Sequence, residues 1–201
     1  MGITLKQFNE MTARVGGRKP RTAALEAGPA SRVVSHQVIL GLDPSLRGTG
    51  YGVIVLGKPY PQALVHGTIT CTASWPRSRC LAHISVTLRD VLRRFQPTVC
   101  AVEGLFFAQN LQTALIMGEA RGAALATIAE AGLEIFEIAP RKVKQAVVGY
   151  GAAQKLAVAK MVQRMLQLSE PPAPDAADAL ALALAHSQEQ GRYNLTPPKR
   201  L

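Results

Sequence analysis

Residues 176–185 read AADALALALA, so a helix-length segment runs ten residues with Asp178 as its one polar side chain. A helix that is apolar on every side is stable only when other layers cover it. The segment therefore requires a sheet to pack on. A chain of 201 residues, 48% of them hydrophobic, is long enough to supply that sheet within one well-buried domain. Asp175 and Asp178 stand in the first turn, three apart and so on one face. Acids near a helix N-terminus gain about 0.3–1 kcal/mol from the dipole without any further role. On a buried helix, however, two carboxylates need a reason to be there.

The rest of the pattern supplies the sheet. QVILGLD (37–43), GYGVIVL (50–56) and ALVHGTITC (63–71) read as strands joined by short glycine-containing connections suited to antiparallel hairpins. Leu81, Ile84, Leu88, Val91, Leu92 and Phe95 recur at helical spacing over 77–95, and Pro97 precedes a fourth strand, TVCAVE (98–103). A helix over 111–130, a fifth strand over 134–138 and helices over 140–147, 152–168 and 174–187 complete the order βββαβαβααα. Strand–helix–strand units pair in parallel with a right-handed crossover. The expectation is an α/β fold with a mixed five-stranded sheet flanked by helices. Its bounds are 37–188, preceded by a basic, unstructured arm (1–36) and followed by a short tail (189–201).

Twenty-three Lys and Arg against thirteen Asp and Glu leave a formal charge of +10. Such an excess bears on association, and it points to a polyanionic partner, nucleic acid ahead of an anionic membrane. There is no run of 18 apolar residues to span a bilayer, and Lys6 stands where a myristoylation signal needs Ser or Thr. The arm carries Lys6, Arg14, Arg18, Lys19, Arg21 and Arg32 against Glu10 and Glu26. That composition suits a bacterial-type cytoplasmic protein with an extension, and equally an organellar presequence. Cys71, Cys80 and Cys100 match no zinc-ribbon spacing and read as reduced core thiols, with Cys80 and His83 forming no more than a lone C-x-x-H.

Asp43 closes the first strand in GLDPSLRGTG, and Glu103 closes the fourth after four apolar residues. Taken singly, the first is explained by a turn and the second by solvent. Taken with Asp175 and Asp178 they form a set of four acids, and two carboxylates about 4 Å apart already repel by roughly 4 kcal/mol at an effective dielectric near 20. A hard divalent cation such as Mg2+ resolves that repulsion and prefers oxygen ligands. The implied chemistry is metal-assisted phosphate transfer or phosphodiester cleavage.

Arg141, Lys142, Lys144, Lys155, Lys160 and Arg164 follow one another with no intervening acid, a candidate phosphate-binding segment. Phe106 and Phe107 come soon after Glu103, where either ring packs in the core or stacks on a base. Gly118, Gly122, Ala123 and Ala126 make a small-residue stripe, fitting either a tight intrachain contact or a dimer seam. His186 lies about 16 Å along the helix from Asp175, too far to join the same site, and His66 falls mid-strand.

In order and spacing, ILGLDPSLRGTGYGV, FQPTVCAVEGLFFAQN, GEARGAAL, RKVKQAVVGYGAAQK and DAADALALALAH together resemble the RuvC Holliday junction resolvases, whose fold is ribonuclease-H-like. The resemblance covers Val38 to His186. It implies that Asp43, Glu103, Asp175 and Asp178 bind Mg2+, or Mn2+ in its place, and catalyse cleavage. It further implies that Phe106 meets bases at the crossover and that Lys144 and Lys155 contact DNA near the scissile strand, while Arg141 is a DNA-contact candidate from the basic segment. A homodimer would cut two opposed strands of four-way junction DNA, alongside a branch-migration motor. The rival readings are a ribonuclease-H-like nuclease acting on RNA precursors and an actin-like nucleotide-binding ATPase. Ser45 and Gln109 depart from the family pattern, as does the basic arm.

Overall fold

A computed structural model describes residues 37–104, 110–189 and 199–201. β1 (Val38–Asp43) pairs antiparallel with β2 (Gly48–Val55), and β2 antiparallel with β3 (Gln62–Thr70). On its other side β1 runs parallel to β4 (Val99–Glu103), which runs parallel to β5 (Glu134–Ile138). The sheet order is β3-β2-β1-β4-β5-β6. The last of these, β6 (Lys199–Arg200), corrects the five-stranded expectation. Two exposed basic residues of the presumed tail pair antiparallel with Phe136 and Glu137 of β5, and Arg200 bridges Glu134 at 2.6 Å. Two polar residues carry no alternation from which a strand is read.

The strands sort their side chains by the period of two. Ile39, Val99, Ala101 and Ile138 enter one core with α3 (Pro140–Val148), α4 (Lys155–Met165) and α5 (Pro174–Glu189). Leu40, Leu42, Cys100 and Val102 enter a second core on the opposite face with α1 (Arg77–Phe95) and α2 (Leu111–Glu130). The result is helix, sheet, helix in three layers.

Helix ends follow local chemistry. α1 stops where Gln96 turns left-handed (φ 45°) ahead of Pro97, and α3 starts with Pro140 and stops at Gly149 (φ 96°). The helix expected over 152–168 is shorter. Gln154 is extended at its start, and Gln167, two residues past Met165, is left-handed (φ 53°). As the apolar sequence requires, Ala176–Ala177 and Ala179–Ala185 are buried throughout. The expectations for residues 1–36 and for most of 189–201 lie outside the described residues.

Candidate active site

Ile39, Gly41 and Asp43 share one face of β1, and Val99, Ala101 and Glu103 share the same face of β4. The parallel register sets Ile39 beside Val99 and Gly41 beside Ala101, and one further step brings Asp43 alongside Glu103. Both acids sit at the carboxyl ends of parallel strands. In open α/β sheets that edge is where ligands bind.

Glycine brings α5 down onto this edge. A Cβ on Gly41 would lie 1.8 Å from the Ala179 carbonyl oxygen, and one on Gly50 would lie 2.0 Å from that of Asp175. Any side chain at either position would lift the helix away from the sheet. With the helix seated, Asp178 joins Asp43 and Glu103 in the lining of a cavity of about 190 Å³. The remaining walls are Pro140, Val143 and Lys144 of α3, Lys155 and Val158 of α4, and Ala181 and Leu182 of α5.

The charges in this cavity act strongly on one another. Lys155 Nζ donates to Asp178 Oδ2 at 2.9 Å. That contact, together with the charge of Asp178, raises the lysine above its ordinary range. Burial pushes Glu103 up to about 7, and the charges of Asp43 and Asp178 push in the same direction. Burial, followed by repulsion from Asp178, also raises Asp43, and the two carboxyls hydrogen-bond to each other. Both carboxyls are thus held above the ordinary carboxylate range by burial and by neighbouring charge. Among the described residues, no three His, Cys, Asp or Glu side chains already stand as a metal-holding group.

The structure brings together Asp43, Glu103, Asp178, Lys144 and Lys155. Asp175 stands to one side, over β2. Its Oδ2 lies 2.9 Å from the Cβ position of Gly48, and it does not line the cavity, although its charge reaches Asp43. Arg141 is exposed on α3 and packs where a side chain on Gly151 would clash. Phe106, Phe107 and Gln109 lie outside the described residues. Cys80 accepts a hydrogen bond from Arg47, and His83 meets the edge of Trp75, so the C-x-x-H pair is engaged elsewhere. All three cysteines are buried free thiols.

Two residues absent from the sequence reading also belong to the site's surroundings. Arg121 of α2 is buried, donating from Nη1 to the backbone carbonyl of Glu103 and from Nη2 to Glu137 on β5. In the structure Arg121 adjoins Ala120 and precedes Ala124 by three, and both alanines are buried, so this arginine lies on the inward face of its helix.

Residues 39–186 match the family described as Crossover junction endodeoxyribonuclease RuvC. The protein of that name from Akkermansia muciniphila is 45% identical over 148 residues, covering 74% of this chain and 89% of its own. Its counterpart from Haemophilus ducreyi is 46% identical over 150 residues, covering 75% of this chain and 78% of its own. The structure of T. thermophilus RuvC in complex with Holliday junction substrate is similar at a TM-score of 0.74 and 35% identity, over 83% of this chain and 100% of that one. The yeast mitochondrial Holliday junction resolvase Ydc2 shares the fold alone, at a TM-score of 0.53 and 13% identity over 76% of this chain and 80% of that one.

Proposed function

The chain belongs to the crossover junction endodeoxyribonuclease RuvC family, and we propose that it cuts four-way junctions at the cavity framed by Asp43, Glu103 and Asp178. It is an endonuclease that hydrolyses DNA and resolves Holliday junctions in recombination and repair. The RNA-precursor and ATPase readings fall with that membership.

The observation that carries the site assignment is the crowding of acids at one sheet edge. There Glu103 is held near 7 and Asp178 is matched by an ammonium ion. The family is metal-dependent, and this donor set fits a hard divalent ion. The donors are all oxygens, burial and their crowding raise Asp43 and Glu103 above the ordinary carboxylate range, and a few carboxylates plus water satisfy such an ion. We assign Mg2+, with Mn2+ as a substitute, to Asp43, Glu103 and Asp178, with Asp175 contributing from over β2. Bound there, the metal supplies an activated water and charge stabilisation at the leaving oxygen.

The chain's own residues orient the substrate. Lys144 and Lys155 line the cavity and meet the phosphates flanking the scissile bond, and Arg141 extends the same basic edge. Val143, Val158 and Leu182 supply apolar walls beside these charges. Phe106 is assigned to stack at the crossover.

Paired cuts in a symmetric junction need two sites, and a homodimer is the simple way to provide them. Support comes from α2, where no described residue lies within 4 Å of a Cβ position on Gly118 or Gly122, and Leu111, Leu115 and Met117 are exposed. Among the described residues nothing packs tightly on Gly118 or Gly122, which supports the seam over the intrachain contact for the small-residue stripe. A branch-migration motor as partner and a cytoplasmic location complete the proposal. Among the described residues no helix is long and apolar enough to cross a membrane.

The test is cleavage of a synthetic mobile four-way junction with Mg2+, beside linear duplex and single strand. Parent protein should nick the junction symmetrically. Asp43→Asn, Glu103→Gln, Asp175→Asn and Asp178→Asn should each abolish cutting and retain binding. An Asp43 variant that cuts at the parent rate sinks the site assignment.

A further inference from the structure

We propose that Arg121 is a positioning residue for Glu103, fixing the end of β4 from the face of the sheet opposite the cavity. The inference rests on Glu103 being one of the acids of the reaction.

Glu103 is the last residue of its strand. The ladder with β1 ends one residue earlier, at Leu42 and Val102, while on the β5 side Glu103 still pairs with Ile138 and Gly104 N–H donates to the Ile138 carbonyl at 2.8 Å. The acid thus stands where β1 no longer holds the strand. Arg121 reaches this point from α2. Its Nη1 donates to the Glu103 carbonyl and its Nη2 to Glu137 Oε2, which belongs to the β5 residue paired with Val102. Glu103 sends its side chain toward α5, while Glu137, one residue out of phase with Ile138, faces α2.

The guanidinium suits this task for a specific reason. It is a rigid planar fork that satisfies two acceptors in fixed relative positions, whereas a lysine offers a flexible point charge. Arg121 is 6% exposed, so its charge is not spread into solvent, and Glu137 neutralises it while fixing its orientation. Partners that orient the acids of a metal site typically change metal affinity or activity by about 10–100-fold when removed. The ion pair would act in that way, through the backbone of the acid instead of through its carboxylate.

The test compares Arg121→Met, Arg121→Lys, Glu137→Gln and Glu103→Gln with the parent. The readouts are single-turnover cutting of pre-bound junction, junction affinity, melting temperature and Mn2+ binding followed by the EPR signal of the free ion. Arg121→Met should cut about 10–100-fold more slowly and bind Mn2+ more weakly by a similar factor, with junction affinity little changed. Glu137→Gln should fall between Arg121→Met and the parent. Arg121→Lys should recover melting temperature more than cutting, because one ammonium cannot hold both acceptors in place. If Arg121→Met and Glu137→Gln lower only the melting temperature, with parent-like cutting and Mn2+ binding, Arg121 is merely structural and the inference is overturned. Should Arg121→Met fail to fold, Glu137→Gln decides alone by the same criteria. An inactive Glu103→Gln beside a parent-like Arg121→Met removes the positioning role and leaves the site reading intact, whereas an active Glu103→Gln removes both.

Discussion

Lys155 Nζ rests 2.9 Å from Asp178 Oδ2, so the ammonium that opens α4 neutralises an acid near the start of α5. The contact is half in solvent, with the lysine side chain 75% exposed and the aspartate 22%, and an ion pair of that kind contributes at most about 1 kcal/mol. It is therefore easily exchanged. A divalent ion at the acids would release the amine toward a phosphate. Lys155→Ala should then bind Mn2+ at least as tightly as the parent, yet cut more slowly. The dependence of log junction affinity on log salt should fall by about one unit, since one phosphate contact is lost. Fluorescence anisotropy across a salt series measures the slope, and an unchanged slope would show that Lys155 does not touch DNA.

The carboxyl pair predicts a pH response with a definite sign. Folding raises Asp43 above its ordinary range and Glu103 to about 7, through burial first and neighbouring charge second. The native state therefore holds more protons than the unfolded chain between the usual carboxylate range and pH 7. Stability falls as pH rises through that window, and the full loss, roughly 1–3 kcal/mol, is reached above it. Metal-free protein should melt at a lower temperature at pH 8 than at pH 5.5. Mg2+ should restore more stability at the higher pH, and Glu103→Gln should flatten the profile. A melting temperature that climbs steadily from pH 5.5 to 8 in the parent would contradict the raised carboxyls.

The element order and the acids could be read from the sequence because their signals are local. Period-two runs end in Asp43 and Glu103, and an all-apolar helix carries Asp175 and Asp178. What the sequence left out depends on distances across layers. Arg121 sits in GEARGAAL, where nothing in helical spacing says that a long side chain will cross to the end of β4. Glu137 in EIFEI looks like an ordinary outward strand acid until α2 covers that face. The four acids were read as equivalent, yet α5 carries Asp178 into the cavity and leaves Asp175 over Gly48 and Gly50, a division set by where glycine lets the helix touch the sheet. β6 escaped because its partner edge, and not its own two residues, makes it a strand.

Two glycines should respond in opposite ways to added side chains, and the contrast separates the core from the proposed seam. At Gly41 a methyl would lie 1.8 Å from the Ala179 carbonyl oxygen, and a backbone atom in a helix held by buried leucines cannot step aside cheaply. Overpacking a tight core commonly costs about 1–3 kcal/mol. Gly41→Ala should lie at or above the top of that range, lowering the melting temperature and, by lifting Asp178 from Asp43, the cutting rate. At Gly122 an added Cβ meets no described residue within 4 Å, and the residue is helical and exposed, so a larger side chain should leave the isolated fold unharmed. If α2 is the seam, Gly122→Leu should remain folded by circular dichroism yet sediment as a monomer. It should then nick junctions singly instead of in symmetric pairs. A Gly122→Leu protein that sediments as a dimer would move the seam elsewhere, and a parent that is monomeric both free and on junction DNA would remove the dimer altogether.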